Sequence, residues 1–308
     1  MQLTPIIAGI GTGLLSVLLL AALVNGSPLA IPFFLASPLP IAIAGFTWGT
    51  RASAIAALTV LVAILFAAGL APALGGFLVV ALPMALAIHL FGLWRDLGGE
   101  AREWYPLGEI LLRVTALIGF GLVVVGAVSG FNPELLAADM AATMEAWFDE
   151  ANVVSRPGDV AALADFVFSV LPVTMAGLGV AIFVANIALG ARIATTSQRP
   201  LRPRPPLWSV QLPPIASYVL AGAALLSLLP GALGDAASAV AGAFGVALAI
   251  VGLGVLHGVT LGRPGRGGLL FIAYASIPLL GIPFILFALL GVFDSFSRLR
   301  PPAPTPTT

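Results

Sequence analysis

Within the apolar runs of this chain, His89, Asp165, Asn186 and His257 are the side chains on which chemistry would have to rest. Ionisable groups deep in hydrocarbon are costly, so each is a candidate site by default. His89, in MALAIHLFGLWRD, and His257, in GLGVLHGVT, are of a type able to relay a proton or hold a polar ligand. Nothing in the sequence brings the two together, and an interfacial histidine bonded to a backbone carbonyl is the simpler expectation. Asp165, in VAALADFVFSVLP, is either a substrate-binding carboxylate or the partner of Arg156 or of a neighbouring helix. Asn186, in AIFVANIALGARI, either bridges helices, which amides do readily, or faces a polar path. Glu109 and Arg113 stand four apart and make an intrahelical pair.

These residues do not compose a catalytic set. No HExxH or GxSxG is present, no His and carboxylates share a helix face, and the acids of 132–150 follow no calcium-loop order. We therefore expect no catalytic residues, no metal and no cofactor. The chain has no cysteine, which excludes disulfides, iron–sulfur ligation and thiol nucleophiles. Its 13 bases are all arginine, which excludes lysine Schiff bases and a Walker-type phosphate loop. The formal charge is zero and no basic run is dense enough for nucleic acid.

What must position these side chains is a membrane bundle. Of the 308 residues 60% are hydrophobic and 8% charged, against about 25% charged in soluble domains. Apolar runs of about twenty residues, each able to cross ~30 Å of hydrocarbon, fall near 3–24, 29–48, 52–70, 73–94, 107–130, 160–190, 210–230, 236–260 and 268–292. The first follows no basic n-region and is read as a retained helix. The second carries Pro32, Pro38 and Pro40, and the last Pro278 and Pro283. Proline removes a backbone donor and obstructs the preceding turn, so both are expected to be kinked or re-entrant.

Arginines set the orientation. With the N-terminus inside, Arg51, Arg95, Arg102, Arg192, Arg199, Arg202, Arg204, Arg263 and Arg266 lie on the cytoplasmic side, and Arg156, Arg298 and Arg300 outside. Nine crossings send the C-terminus out. A re-entrant last segment gives eight and returns it inside, and the even count is the one favoured here. Gly9/Gly13, Gly45/Gly49, Gly126/Gly130 and Gly254/Gly258 are small-residue pairs that allow close helix approach.

One polar break, NPELLAADMAATMEAWFDE at 132–150, has five acids and no base. Asn132, Pro133 and Glu134 form an N-terminal helix signature. Leu136, Met140, Met144, Trp147, Ala151 and Val154 predict an apolar stripe, with Trp147 and Phe148 as interface anchors. Arg156-Pro157-Gly158 ends this helix and Asp159 is expected to cap the next. It reads as an external amphipathic helix that bridges two spans, covers an outward cavity or offers a docking surface to a partner. Trp147, Asp165 and Asn186 are then the candidate ligand-binding residues, and His89 and His257 the candidate polar or proton site.

The ending FALLGVFDSFSRLR (287–300), with Leu290-Gly291, Asp294 and Arg300, resembles the end of the DUF2232 family, membrane proteins also called YybS-like. PLPIAIAGFTWGTRASAIAALTVLVAIL (38–65) resembles that family too, as does the plan of eight or so helices over about 300 residues. The family looks distantly related to the substrate-binding S-components of energy-coupling-factor vitamin transporters, which bind ligand near the outer face beneath loops. The resemblance implies a ligand cavity below the 132–150 helix near Asp165. The chain departs from the S-component pattern in having Ala8, Thr12 and Ser16 on its first helix in place of an alanine ridge, and in having more than six spans. Both argue against docking to an energising module.

The sequence therefore predicts an all-α, polytopic membrane bundle of 8–9 transmembrane segments. A single domain covers 1–300 with an amphipathic insert at 132–154, and a disordered tail at 301–308 follows. The expected setting is a bacterial inner membrane. The expected role is transporter-like or small-molecule binding, the ligand being vitamin-like, amphiphilic or lipid. The alternative is a scaffold for envelope or membrane assembly that docks another membrane protein. A membrane enzyme ranks last, because it needs a histidine to converge with Asp165.

Overall fold

The computed structural model describes residues 3–25, 29–96, 98, 102–151, 157–196, 207–280, 282–297 and 299. The apolar runs fold into helices α1 (Leu3–Ala21), α2 (Ala30–Ala36), α3 (Leu39–Trp48), α4 (Thr50–Ala68), α5 (Leu70–Leu74), α6 (Leu82–Phe91) and α7 (Leu107–Ser129). The insert and the rest follow as α8 (Pro133–Glu150), α9 (Pro157–Thr196), α10 (Ile215–Leu226), α11 (Ala232–Val259), α12 (Arg266–Leu280) and α13 (Ile282–Ser297). Among the described residues, seven helical stretches are long and apolar enough to cross a membrane, with α2–α3 and α5–α6 each counting as one. The chain is a polytopic helical membrane protein, and among the described residues the one departure to strand is a short hairpin between α6 and α7.

Its residue distribution is that of a bundle in lipid. Small residues fill the interior, among them Ala42, Ala56, Ala87, Ala243 and Ala247, while Ile7, Leu18, Phe66 and Leu228 face outward. Lipid tails are as apolar as leucine, so helices gain by close backbone approach and not by hiding large side chains from their surroundings.

Glycine contacts give the helix directions. A Cβ on Gly9 would lie 2.7 Å from the Ala52 carbonyl and one on Gly13 the same distance from that of Ala56, so α1 and α4 run parallel. Gly177 faces Val246 while Gly242 faces Val173, so α9 and α11 are parallel with an offset of 69 positions (173 to 242, 177 to 246). Gly252 packs against Phe287 and Gly291 against Leu248, where a Cβ at either would overlap a carbonyl, so α13 runs antiparallel to α11. These directions fit the alternation of crossings that the arginines imply. They also give α13 the direction of a crossing helix, not of one returning to the face it came from.

The second proline-rich segment breaks, dividing at Ser37–Pro38 into α2 and α3, whereas in the last α12 and α13 lie either side of position 281, which is outside the described residues. The freed carbonyls of the α2–α3 break are met by side chains. Ser16 Oγ donates to the Ser37 oxygen over 2.8 Å, and Asn186 Nδ2 to that of Leu35 over 2.8 Å. The segment expected at 210–230 is only partly helical. α10 has 12 residues, about 18 Å of rise. Preceding it, Leu212 is buried, and Gln211 Nε2 donates to the Asp294 carbonyl over 2.6 Å. Irregular backbone is tolerable at such depth where protein covers it.

Three local expectations change. α9 begins at Pro157, so Asp159 lies within its first turn and is not its cap. Gly49 and Gly130 are not packing glycines: their φ values of +86° and +68° end α3 and α7, a conformation glycine adopts without Cβ strain. The loop holding Arg95 and Arg102 forms a two-stranded antiparallel hairpin, β1 (Trp94–Asp96) and β2 (Arg102–Trp104), with Arg95 paired to Glu103 and Arg102 stacked on Trp94 at 4.4 Å. Arg113 pairs with Glu109, as the spacing predicts.

Candidate functional site

Asn132 caps α8, its side chain accepting from Leu135 N over 3.1 Å, with Pro133 in the first turn. The face that α8 packs is not the predicted stripe. Ala137, Ala141, Met144 and Phe148 meet Val160, Ala164 and Phe168 of α9. Leu136, Met140 and Trp147 stay exposed, Trp147 at 67%. The cause is close approach: Ala137 and Ala164 let the two backbones come together, whereas the bulkier stripe would hold them apart. Ala151 lies just past the helix, and Val154 lies outside the described residues.

This hairpin stands at the bundle end where the 227–235 turn also emerges. The offset of 69 places Asp165 level with position 234. It also leaves α9, with 40 residues against 28 in α11, overhanging its neighbour by about six residues at each end. Asp165, Glu134 and Asp235 line one cavity of about 550 Å³ with Asn132, Ser169 and Ser238 on its walls. No base lines it.

Beneath this vestibule lie two apolar cavities. One of about 270 Å³ sits among α7, α9 and α11 and shares Phe131, Ala232 and Asp235 with the vestibule. The other, about 260 Å³, shares Leu122, Val125 and Met175 with the first. Its far wall holds Ser37 and Pro38 at the break between α2 and α3, and Gly75, Gly76, Val79 and Val80. Those last four belong to a π-helical stretch, Gly75–Ala81, between α5 and α6. π-helical turns inside α-helices are rare and recur at functional sites. Two irregular backbones thus face one cavity, the third in a row of spaces that begins at an acidic mouth.

The sequence candidates fall in different places. Asp165 lines the vestibule. Asn186 is buried beside the deepest cavity, and both its amide hydrogens go to backbone, to Leu35 and Ile182 at 2.8 Å each. Trp147 lines none of these three spaces. His89 is exposed in the last turn of α6. His257 is half-buried near the end of α11, its Nε2 2.9 Å from the Tyr274 hydroxyl and its Nδ1 3.3 Å from an Arg266 nitrogen. Among the described residues no hydrogen bond or ion pair joins either histidine to Asp165. Arg156, Arg199, Arg202, Arg204, Arg298 and Arg300 lie outside the described residues, and with them the pairing proposed for Asp165. Among the described residues no three His, Cys, Asp or Glu are grouped to hold a metal.

Sequence reasoning missed Asp235 and did not single out Glu134. The signal was present: by the arginine topology the 131–134 and 227–235 turns share a face, so their acids can meet. It also used Asp294 only as a family marker, though Asp294 is the one fully buried carboxylate among the described residues, accepting from Leu299 N over 3.2 Å.

Comparison with family models gives no match, and neither do comparisons with curated proteins and with solved structures.

Proposed function

We propose that this protein binds a small amphiphilic molecule from the outer side of a membrane, in the manner of a transporter's substrate-binding bundle. The observation that carries the reading is the row of three cavities, polar at its mouth and apolar below, ending against the α2–α3 break and the π-helical stretch. A polar head sits among Glu134, Asp165 and Asp235, where three carboxylates repel an anionic head. The apolar part follows the walls shared at Phe131 and at Met175. Helix irregularity in a membrane carries a cost unless it is covered or lines a cavity, and two irregularities on one cavity wall favour use over accident.

In this reading α8 roofs the site with α9. The chain crosses nine times, with α12 near the inner face and the C-terminus outside. The DUF2232-like ending and a bacterial inner membrane belong to the same proposal.

The experiment is thiol labelling of Met175→Cys in the otherwise cysteine-free chain. A small membrane-impermeant thiol reagent added from outside reaches Cys at this position through the vestibule. Reaction only from the inner side, or with hydrophobic reagents alone, overturns an outward-opening site. Exposed Leu136, Met140 and Trp147 on α8 favour the scaffold reading as a second account, in which this face docks another membrane protein.

A further inference from the structure

The opposite end of the bundle holds a cluster that the cavities do not use. A guanidinium only donates hydrogen bonds, so the 3.3 Å contact between Arg266 and His257 makes Nδ1 of the histidine the acceptor. The ring proton then sits on Nε2 and points at the Tyr274 oxygen, 2.9 Å away. That oxygen is filled as an acceptor from this side, so the phenol hydrogen is turned toward some other acceptor. Arg266, meanwhile, has no carboxylate partner among the described residues. Its Nε is shielded from solvent and makes no hydrogen bond. The tyrosine and arginine are thus both held by one neutral imidazole, with the phenol hydrogen and the Arg266 Nε unused, and Arg263 stands exposed three residues before Arg266.

The surroundings identify what those donors meet. α12 begins at Arg266 and exposes Leu269, Phe271 and Ile272. Arg266 and Tyr274 both reach the same histidine near the end of α11, so α12 starts across that end and not alongside α11. A row of exposed apolar side chains beside two arginines and a phenol is the arrangement of a helix lying at an interface. Arginine's planar fork suits phosphate oxygens, and anionic lipid enriches such surfaces in phosphate.

We propose that Arg266 and Tyr274, oriented by His257, bind the phosphate of an anionic phospholipid whose acyl chains lie along Phe271 and Ile272. This site is separate from the outer cavities and stands or falls independently of them.

The test is native mass spectrometry of the full chain, delipidated in mild detergent and titrated with phosphatidylglycerol, with phosphatidylcholine and with inorganic phosphate. The wild-type chain holds one phosphatidylglycerol that survives an excess of phosphatidylcholine. Arg266→Gln weakens this binding about tenfold, and Tyr274→Phe about threefold. His257→Asn, which keeps one acceptor and one donor, retains more of it than His257→Ala. Thermal midpoints of all four variants, measured without added lipid, separate binding loss from unfolding. Equal retention by wild type and both direct-contact variants overturns the site. Displacement by millimolar inorganic phosphate overturns the lipid as its occupant and assigns the same donors to a free anion.

Discussion

Asn186 and Leu35, 151 positions apart in sequence, are joined by an amide-to-carbonyl hydrogen bond of 2.8 Å at the point where the second apolar segment breaks. The bond gives the lost helical partner of Leu35 a replacement from α9. A helix break inside a bundle survives when its orphan carbonyls are satisfied, so this single amide helps to permit the break that walls the deepest cavity.

Replacing Asn186 by Leu keeps the volume and removes the donor. The expected loss is about 1–2 kcal/mol, in the range of membrane interhelical hydrogen bonds and buried unsatisfied carbonyls. Reversible unfolding in mixed detergent and SDS measures it. An unchanged midpoint would mean that the break stands without Asn186.

Gly252 and Gly291 lie where α11 and α13 approach most closely, and Gly11 and Gly222 face open space. Gly252→Val or Gly291→Val should separate the pair and cost about 1–3 kcal/mol or more, the scale of overpacking. Gly11→Ala and Gly222→Ala should be neutral or raise stability by up to ~1 kcal/mol through helix propensity. The same unfolding assay ranks all four.

How much of this was legible in the sequence divides along local and non-local lines. Asn132 as a cap, the break at Ser37–Pro38 and the Glu109–Arg113 pair follow from a few neighbouring residues, and each is present. The packed face of α8 was misread because periodicity points to the bulkiest side chains, whereas the α8–α9 contact selects Ala137, Ala141 and Ala164. Spacing likewise selected glycine pairs within one helix, while Gly252 and Gly291 meet from two. The vestibule needed Glu134, Asp165 and Asp235 from three elements, and no single stretch carries that information. The cavities are empty space between helices and leave no pattern in any one of them.

Because the chain contains no cysteine, single cysteines report sidedness directly. Trp147→Cys and Asp165→Cys should react with an impermeant maleimide from outside, and Arg95→Cys and Arg263→Cys only after the inner face is opened. Ser297→Cys should react from outside if the chain crosses a ninth time in the direction that the antiparallel course of α13 along α11 gives it. Labelling of Ser297→Cys from the inner side alone would restore the even count.

Asp165→Asn removes one of the three vestibule carboxylates and leaves the apolar cavities intact. A bound amphiphile with a cationic head should then be held severalfold more weakly, about 1 kcal/mol for a partly exposed charge pair, and the difference should shrink as salt rises. Binding that is insensitive to both would place the head elsewhere.

The most direct test of the outward cavity is native mass spectrometry of the protein released with its own membrane lipids, comparing the wild type with Met175→Trp. Met175 lines both apolar cavities, and an indole there fills space without removing a hydrogen bond. A small molecule present on the wild type and missing from a folded Met175→Trp chain is the predicted result. A wild-type chain that carries only bulk phospholipid, equally in both forms, would contradict the account.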